Sequence, residues 1–302
     1  MANYYCLMAG LPQVKLTDAQ PQHTLLQLKE ELADILEPQD KRLLQRYFLR
    51  FDCENLAELL EAGRRKSPYD IIVEPSKVLP LPEGKVKWND AALYDEETMR
   101  QFVVDARATD GDVKGFPSFL SDFVRTFDVR QEEQRWFSRD AIMLAYYDYA
   151  RQCPNKMMAD WYELNFNILN ILTALIARRQ GWHLADYVQG SGPVVRTLLN
   201  QSSQPDFGLG AELDYVSDLM RAAETTDPVE KERQIDALRW EWLEERTFFE
   251  PFDITALFAY IVRTEILERW ALLDPELGRE RFTQIIEDLR GEAKVPEEFI
   301  RK

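Results

Sequence analysis

The chain has 302 residues, of which 45% are hydrophobic, 30% are charged and only 12 are glycine. This composition is sufficient for a large globular core and argues against a glycine-rich, many-stranded sheet. The 37 basic and 53 acidic residues give a net charge of −16, and because such a surface repels phosphates and anionic lipid headgroups we expect neither a nucleic-acid partner nor direct insertion into lipid.

The cysteine pattern and the N-terminal sequence indicate a cytoplasmic protein. Cys6, Cys53 and Cys153 are widely spaced and odd in number, which favours free thiols over a disulfide framework or a zinc site. The N-terminus lacks the basic and apolar regions of a signal peptide. The most apolar stretch, 164–177, contains asparagines and is shorter than the roughly 20 apolar residues that a membrane-spanning helix needs.

Hydrophobic residues at helical spacing predict helices along most of the chain. Leu25, Leu28 and Leu32 mark the first of them, and Pro38 ends it. The predicted helices are 24–36, 40–62 with a bend near Asp52, 95–107, 116–128, 130–152, 156–180, 183–200, 211–223, 228–248, 253–273 and 279–290. We therefore predict an all-α fold, an array of helices that can be elongated.

Two segments lack the helical pattern. Residues 65–92 contain four prolines, Gly84 and a short β-like run at 71–73, which predicts a long loop or arm. Residues 201–210 are rich in Gln, Ser and Gly and predict a second loop.

Three segments open in a similar way, with a large apolar residue followed by Asp or Asn and then an apolar helix. The polar residues are Asp52, Asn165 and Asp253, and each is expected to cap the N-terminus of a helix. The similarity predicts three related helical units, 1–110 with its proline-rich arm at 65–92, 111–205 and 206–302. Chance similarity between amphipathic helices is the alternative, because the spacings are unequal.

Residues typical of catalysis or metal binding are scarce. The only histidines are His23 and His183, and the sequence contains no zinc-protease, phosphate-loop, dinucleotide-binding or nucleophile-elbow motif. The acidic run 95–97 points around a helix, and Asp140 and Asp148 are better explained as parts of a solvated face. We predict no catalytic residue, no cofactor and no metal, and hence a protein that is not an enzyme.

Polar side chains within the apolar helices allow two interpretations. Asn165, Asn167, Asn170 and Thr173 lie in the run 164–176. A buried amide must find a hydrogen-bond partner or destabilise the fold by roughly 1–3 kcal/mol. One interpretation is hydrogen bonding between helices, and the other is a helix face that lines a groove for a protein partner.

The predicted helix 253–273 raises the same question. It carries Arg263, Glu265, Glu268 and Arg269 among apolar residues. Glu265 precedes Arg269 by four residues, the favourable orientation for an ion pair on one helix.

Three segments carry a resemblance to a known family. Residues 252–270 read FDITALFAYIVRTEILERW, residues 167–181 read NILNILTALIARRQG, and residues 3–12 read NYYCLMAGLP. The first two resemble helices of the C subunit of archaeal and bacterial V-type (A-type) ATP synthases, which corresponds to the d subunit of the eukaryotic enzyme. The third is similar to the start of an uncharacterised bacterial family associated with V-type ATPase gene clusters.

The resemblance implies a non-catalytic central-stalk protein in which three helical subdomains form an elongated or funnel-shaped array, the socket. In that family the socket links the axle to the membrane proteolipid ring, so the expected partners are the V-type ATPase axle subunits and that ring. The expected location is the cytoplasm, with peripheral attachment to the inner membrane through these protein partners. The candidate partner-binding residues are Asn167, Asn170, Arg178, Arg179, Arg263 and Glu265.

Two other functions stay open on sequence alone. A helical adaptor or regulator unrelated to the ATPase would share the same composition and pattern. An all-α enzyme with an unrecognised acidic site is the third hypothesis.

Overall fold

The described part of this computed structural model is helical and contains no strand, which confirms the all-α prediction. It covers residues 4–66, 81, 84, 86–126, 138–249 and 251–273. The helices within it are α1 (Tyr5–Gly10), α2 (Leu25–Ala33), α3 (Pro38–Lys66), α4 (Glu96–Ala108), α5 (Ser118–Thr126), α6 (Ser138–Ala150), α7 (Lys156–Gln180), α8 (Pro193–Asn200), α9 (Val216–Glu224), α10 (Pro228–Thr247) and α11 (Ile254–Leu272), with a short 3-10 helix at Leu184–Asp186.

Helix α11 lies at the centre of the packing. Nearly every residue from Ile254 to Leu267 is buried, as expected for a helix that is apolar around its whole circumference. It packs against α2, α7 and α10. As predicted, Asp253 caps its N-terminus, with a side-chain oxygen that accepts a hydrogen bond from the backbone N–H of Ala256 at 2.9 Å.

Helix α3 is longer than predicted, and the expected cap at Asp52 is wrong. Asp52 lies in the middle of the helix and is fully buried. Its two carboxylate oxygens accept hydrogen bonds from the backbone N–H groups of Leu93 (2.9 Å) and Tyr94 (3.0 Å). The carboxylate therefore satisfies the backbone of the segment that leads into α4, instead of the start of its own helix.

A neighbouring amide fixes the same segment. The side chain of Asn55 donates a hydrogen bond to the carbonyl oxygen of Asn89 and accepts one from the N–H of Asn89. Asp52 and Asn55 are three residues apart, so both project from one face of α3. This face holds the described end of the predicted 65–92 arm, and the run 71–73 lies outside the described residues.

Helix α7 has the ends that its sequence indicates. The side chain of Asn155 accepts a hydrogen bond from the N–H of Met158, and Gly181 follows the helix in the left-handed conformation at φ 71°. Asn165, predicted as an N-cap, lies mid-helix, so that prediction is wrong. Its amide nitrogen donates to the carbonyl oxygen of Trp161 and its oxygen accepts from Arg239 of α10.

The predicted single helix 183–200 is also wrong, because the chain turns between the 3-10 helix and α8. Gly190 has φ 81°, and a β-carbon at this position would lie 3.0 Å from the ring of Phe166. Only glycine fits this close approach without strain. Pro193 then occupies the first turn of α8, where its missing N–H costs nothing.

Buried residues from Tyr4 to Leu267 belong to one hydrophobic core. The division into 1–110, 111–205 and 206–302, and the funnel shape, stay predictions. The predicted helix 279–290 and the start of the predicted helix 130–152 lie outside the described residues.

The buried carboxylate of Asp52 should make stability depend on pH. Burial raises the pKa of Asp52 from 3.8 to about 7, and the two backbone hydrogen bonds and the charge of Lys29 offset this only partly. At pH values between 3.8 and about 7, Asp52 is protonated in the folded state and ionised in the unfolded state. The stabilisation from this proton is complete below the unfolded pKa and disappears as pH rises through the folded pKa.

We therefore expect Asp52→Asn, which cannot titrate, to cost more free energy of unfolding at acidic than at alkaline pH. The cost should be larger by roughly 2 to 3 kcal/mol at about pH 5 than at about pH 8. Urea denaturation of both proteins at the two pH values measures it, with the exposed Asp34→Asn as the matched control. An equal cost of Asp52→Asn at both values would contradict the prediction.

Candidate functional site

The asparagines of α7 point into the protein. Asn170 is 1% exposed, and its side-chain oxygen accepts a hydrogen bond from the N–H of Gln189 at 2.6 Å, while its nitrogen donates to the carbonyl oxygen of Phe166. Asn167 is buried, and its side chain lies beside the hydroxyl of Tyr215. These contacts join α7 to segments that follow it, and the bond between Asn165 and Arg239 of α10 is one of the kind expected between helices.

The arginines at the end of α7 hold loops. Arg178 donates to the carbonyl oxygens of Gln204 (2.6 Å) and Pro205 (2.8 Å), and its guanidinium lies 4.2 Å from the ring centre of Phe207. Arg179 donates to the carbonyl oxygen of Ala223 near the end of α9 at 3.4 Å. Arg178 thus fixes the predicted loop 201–210, which the structure confirms as non-helical.

Glu265 joins α11 to α3. Its carboxylate accepts hydrogen bonds from the hydroxyl of Tyr47 and the guanidinium of Arg50. Burial raises the pKa of Glu265, but the charge of Arg50 and these hydrogen bonds more than offset it, so the pKa stays below its usual value. The carboxylate of Glu265 is therefore ionised at neutral pH, and with Arg50 it forms an ion pair in a largely apolar interface.

The ion pair expected between Glu265 and Arg269 is replaced by contacts to other helices. Arg269 forms an ion pair with Asp236 of α10. The carboxylate of Asp236 is buried and also accepts hydrogen bonds from Arg239 (2.9 Å) and from the indole of Trp270 (2.8 Å). Two arginines and an indole thus compensate one buried carboxylate, which fixes α10 against α11.

Arg263 has a different environment from the other predicted residues. Its guanidinium lies 5.4 Å from the ring centre of Trp240, and burial lowers its pKa. Its Nε and Nη2 atoms are buried and form no hydrogen bond within the described part of the chain. Each of the six predicted residues contacts a different set of neighbours, and all six make hydrogen bonds or side-chain contacts inside the protein. Their role in partner binding stays a prediction.

Among the described residues, the large apolar side chains with the highest fractional exposure lie elsewhere, in the loop between α10 and α11. Phe248 is 74% exposed and Phe249 is 88% exposed. Their rings are perpendicular, with centres 5.0 Å apart. Phe252 follows in the same loop, and its ring lies 4.9 Å from that of Tyr5 in α1. We call Tyr5, Phe248, Phe249 and Phe252 the aromatic patch.

A backbone hydrogen bond joins the two chain segments that form the aromatic patch, the start of α1 and the loop between α10 and α11. The N–H of Tyr4 donates to the carbonyl oxygen of Phe252 at 2.7 Å. The hydroxyl of Tyr4 donates to the buried carboxylate of Asp40 in α3 at 2.6 Å, which fixes α1 on the core. Sequence reasoning did not single out Phe248 and Phe249, although the run 248–252 has three phenylalanines in five residues beside Pro251.

One family matches nearly the whole chain. Its description is "Protein of unknown function (DUF2764)", and the match covers residues 1–293. The chain belongs to this family. No curated protein and no solved structure matches the chain.

The described residues of this DUF2764 family member contain neither a membrane-spanning helix nor a metal-binding cluster. Within them, no helix combines the length and the apolar character needed to cross a membrane. In the same part of the chain, no group of three or more His, Cys, Asp and Glu side chains is arranged to hold a metal ion.

Asn170→Asp should destabilise the fold. The variant places a charge at a buried position and loses the donor to Phe166, so we expect a loss of at least about 2 kcal/mol in the free energy of unfolding. Chemical denaturation at neutral pH measures the loss. Asn200→Asp, at the exposed end of α8, is the matched control. An unchanged midpoint for Asn170→Asp would contradict the internal role of this amide.

Glu265→Gln should weaken the contact between α3 and α11. The change leaves the positive charge of Arg50 without its partner, and because both side chains are partly exposed we expect a cost of about 2 kcal/mol. The control is Glu245→Gln, which removes an exposed carboxylate beside Arg246 and should have almost no effect. Thermal unfolding of both variants measures the difference, and equal melting temperatures would contradict a structural role of Glu265.

Proposed function

We propose that this protein is a non-catalytic assembly component of a V-type ATP synthase, acting as the socket between the axle and the membrane proteolipid ring. The proposal rests on the resemblance to the C subunit of that enzyme. The single observation that carries it is the place of the two resembling segments in the fold. Residues 167–181 belong to α7 and its C-terminal glycine, and residues 252–270 belong to α11 and its cap.

These two segments are far apart in sequence, and the helices that contain them pack against each other in the structure. Trp161 and Tyr162 of α7 each contact the ring of Phe258 of α11, with ring centres 6.3 Å apart. A resemblance that falls on two contacting core helices supports a shared fold better than one on scattered surface loops, because core packing constrains both helices together.

A socket must also offer protein-binding surface. The aromatic patch next to the start of α11 is of the kind enriched in protein interfaces, since exposed aromatic side chains bury much area at little entropic cost. The overall charge of −16 suits contact with basic partners. Peripheral attachment to the inner membrane would follow from these protein contacts.

Affinity purification of the C-terminally tagged chain from gently solubilised source membranes tests the proposal. We expect mass spectrometry to find the catalytic hexamer, the axle subunits and the proteolipid ring in a fixed ratio to the tagged chain. An unrelated tagged protein of similar negative charge, processed in parallel, controls for ionic adsorption. Recovery of the chain alone, or with other partners, would contradict the proposal and favour a helical adaptor of different function.

A further inference from the structure

The aromatic patch combines two segments from opposite ends of the described chain. Phe248 and Phe249 are exposed, and Phe252 follows Phe249 by three positions, so their Cα atoms are at most about 11 Å apart. Helix α1 adds Tyr5 and contains no charged residue in its six positions. Isolated exposed aromatics are common, whereas two pairs of contacting rings this close along the chain are of the kind used for binding.

The anchoring makes the aromatic patch a preformed surface. Asp253 caps α11 directly after Phe252, and Tyr4 is bound to both Phe252 and Asp40. The backbone at Tyr5 and Phe252 is therefore fixed by these hydrogen bonds, and Phe248 directly follows the end of α10. A partner that binds here does not have to order these backbone segments, which reduces the entropic cost of binding.

The charges beside the aromatic patch are mainly negative. Glu241, Glu244 and Glu245 are exposed on the last two turns of α10, within about 10 Å along the helix axis of Phe248. The one basic residue there, Arg246, lies 3.7 Å from the carboxylate of Glu245 and stacks on the ring of Trp242. We call this acidic end of α10, which leads directly into Phe248, the acidic rim of the aromatic patch; the chain is also acidic overall.

We propose that the aromatic patch is the docking surface for a segment of another protein that presents apolar side chains flanked by lysine or arginine. Basic residues of the partner would pair with the acidic rim, and its apolar residues would cover Phe248 and Phe249. A second copy of this chain would bring two acidic rims together, and an anionic membrane would be repelled by the same charges. The inference concerns this surface alone and does not depend on the ATPase assignment.

A designed peptide of about 18 residues, long enough to form a helix, is the probe. One version carries leucine on one face and lysine on the other, and the second version has glutamate in place of lysine. Fluorescence anisotropy measures the binding of each to the full-length protein. We expect the lysine peptide to bind, its affinity to fall as salt rises, and the glutamate peptide to bind at least about tenfold more weakly.

The variant that tests the surface is Phe248→Ser combined with Phe249→Ser. Both side chains are exposed, so circular dichroism should show an unchanged helical fold. We expect the lysine peptide to lose at least about tenfold in affinity, as for the loss of interface anchor residues. The matched control is Val104→Ser with Val229→Ser, two residues about half exposed on α4 and at the opposite end of α10, and it should bind as the wild type does.

Four results would overturn the proposal. They are absence of lysine-peptide binding to the wild type, equal binding by the double phenylalanine variant, equal binding of the glutamate peptide, and a wild-type dimer in light scattering that this variant converts to monomer. The last would assign the aromatic patch to a second copy. The assay uses only purified protein and peptide, so its outcome is independent of the affinity purification from membranes. Failure of the docking proposal and failure of the proposed function are therefore distinguishable.

Discussion

Burial of α11 on all sides is the constraint on which the rest of the structure depends. A helix with no solvent face needs neighbours around its circumference, and α2, α7 and α10 pack against it. The ring of Phe258 shows this most directly, since it contacts Tyr47 of α3 as well as Trp161 and Tyr162 of α7. Arg50 of α3 compensates the charge of Glu265 on this helix, whereas Arg263 packs its guanidinium against the ring of Trp240.

The polar contacts of α11 define its orientation as well as its burial. Hydrophobic packing alone tolerates rotation and sliding, whereas a buried carboxylate has few acceptable partners. Glu265 fixes α11 against Arg50 of α3, and Arg269 with Trp270 fixes it against Asp236 of α10. These directional contacts lie about one helical turn apart along α11.

The sequence predicts helices with strong local signals correctly. It does not predict the roles of side chains whose hydrogen-bond partners lie far along the chain. Helices α4, α7 and α11 have long apolar patterns and Asp or Asn caps, so local rules were sufficient. Asp52 and Asn165 looked like caps because their side chains suit the task, yet each bonds to a segment far along the chain. The break before α8 lies at the Gly-Ser-Gly-Pro run 190–193, where two glycines and a proline interrupt the helical pattern.

The candidate site residues were likewise predictable in part from the sequence. Polar residues within apolar helices indicate positions that make specific hydrogen bonds. Their spacing does not show whether an amide bonds to its own chain or to a partner protein. Asn170 bonds to its own chain, at Gln189. The exposed state of Phe248 and Phe249 was equally unpredictable, because a loop aromatic can fold back onto the core. Only the three-dimensional position of α1 against Phe252 shows a shared surface.

The distribution of thiols has a practical consequence for spectroscopy. Cys6 is exposed and directly follows Tyr5, whereas Cys53 and Cys153 are buried and burial raises the pKa of both thiols. A maleimide dye reacts with accessible thiolate, so it should label the native chain once, in α1. The wild-type protein thus carries its own attachment point for a fluorophore beside the aromatic rings, and no cysteine has to be added or removed.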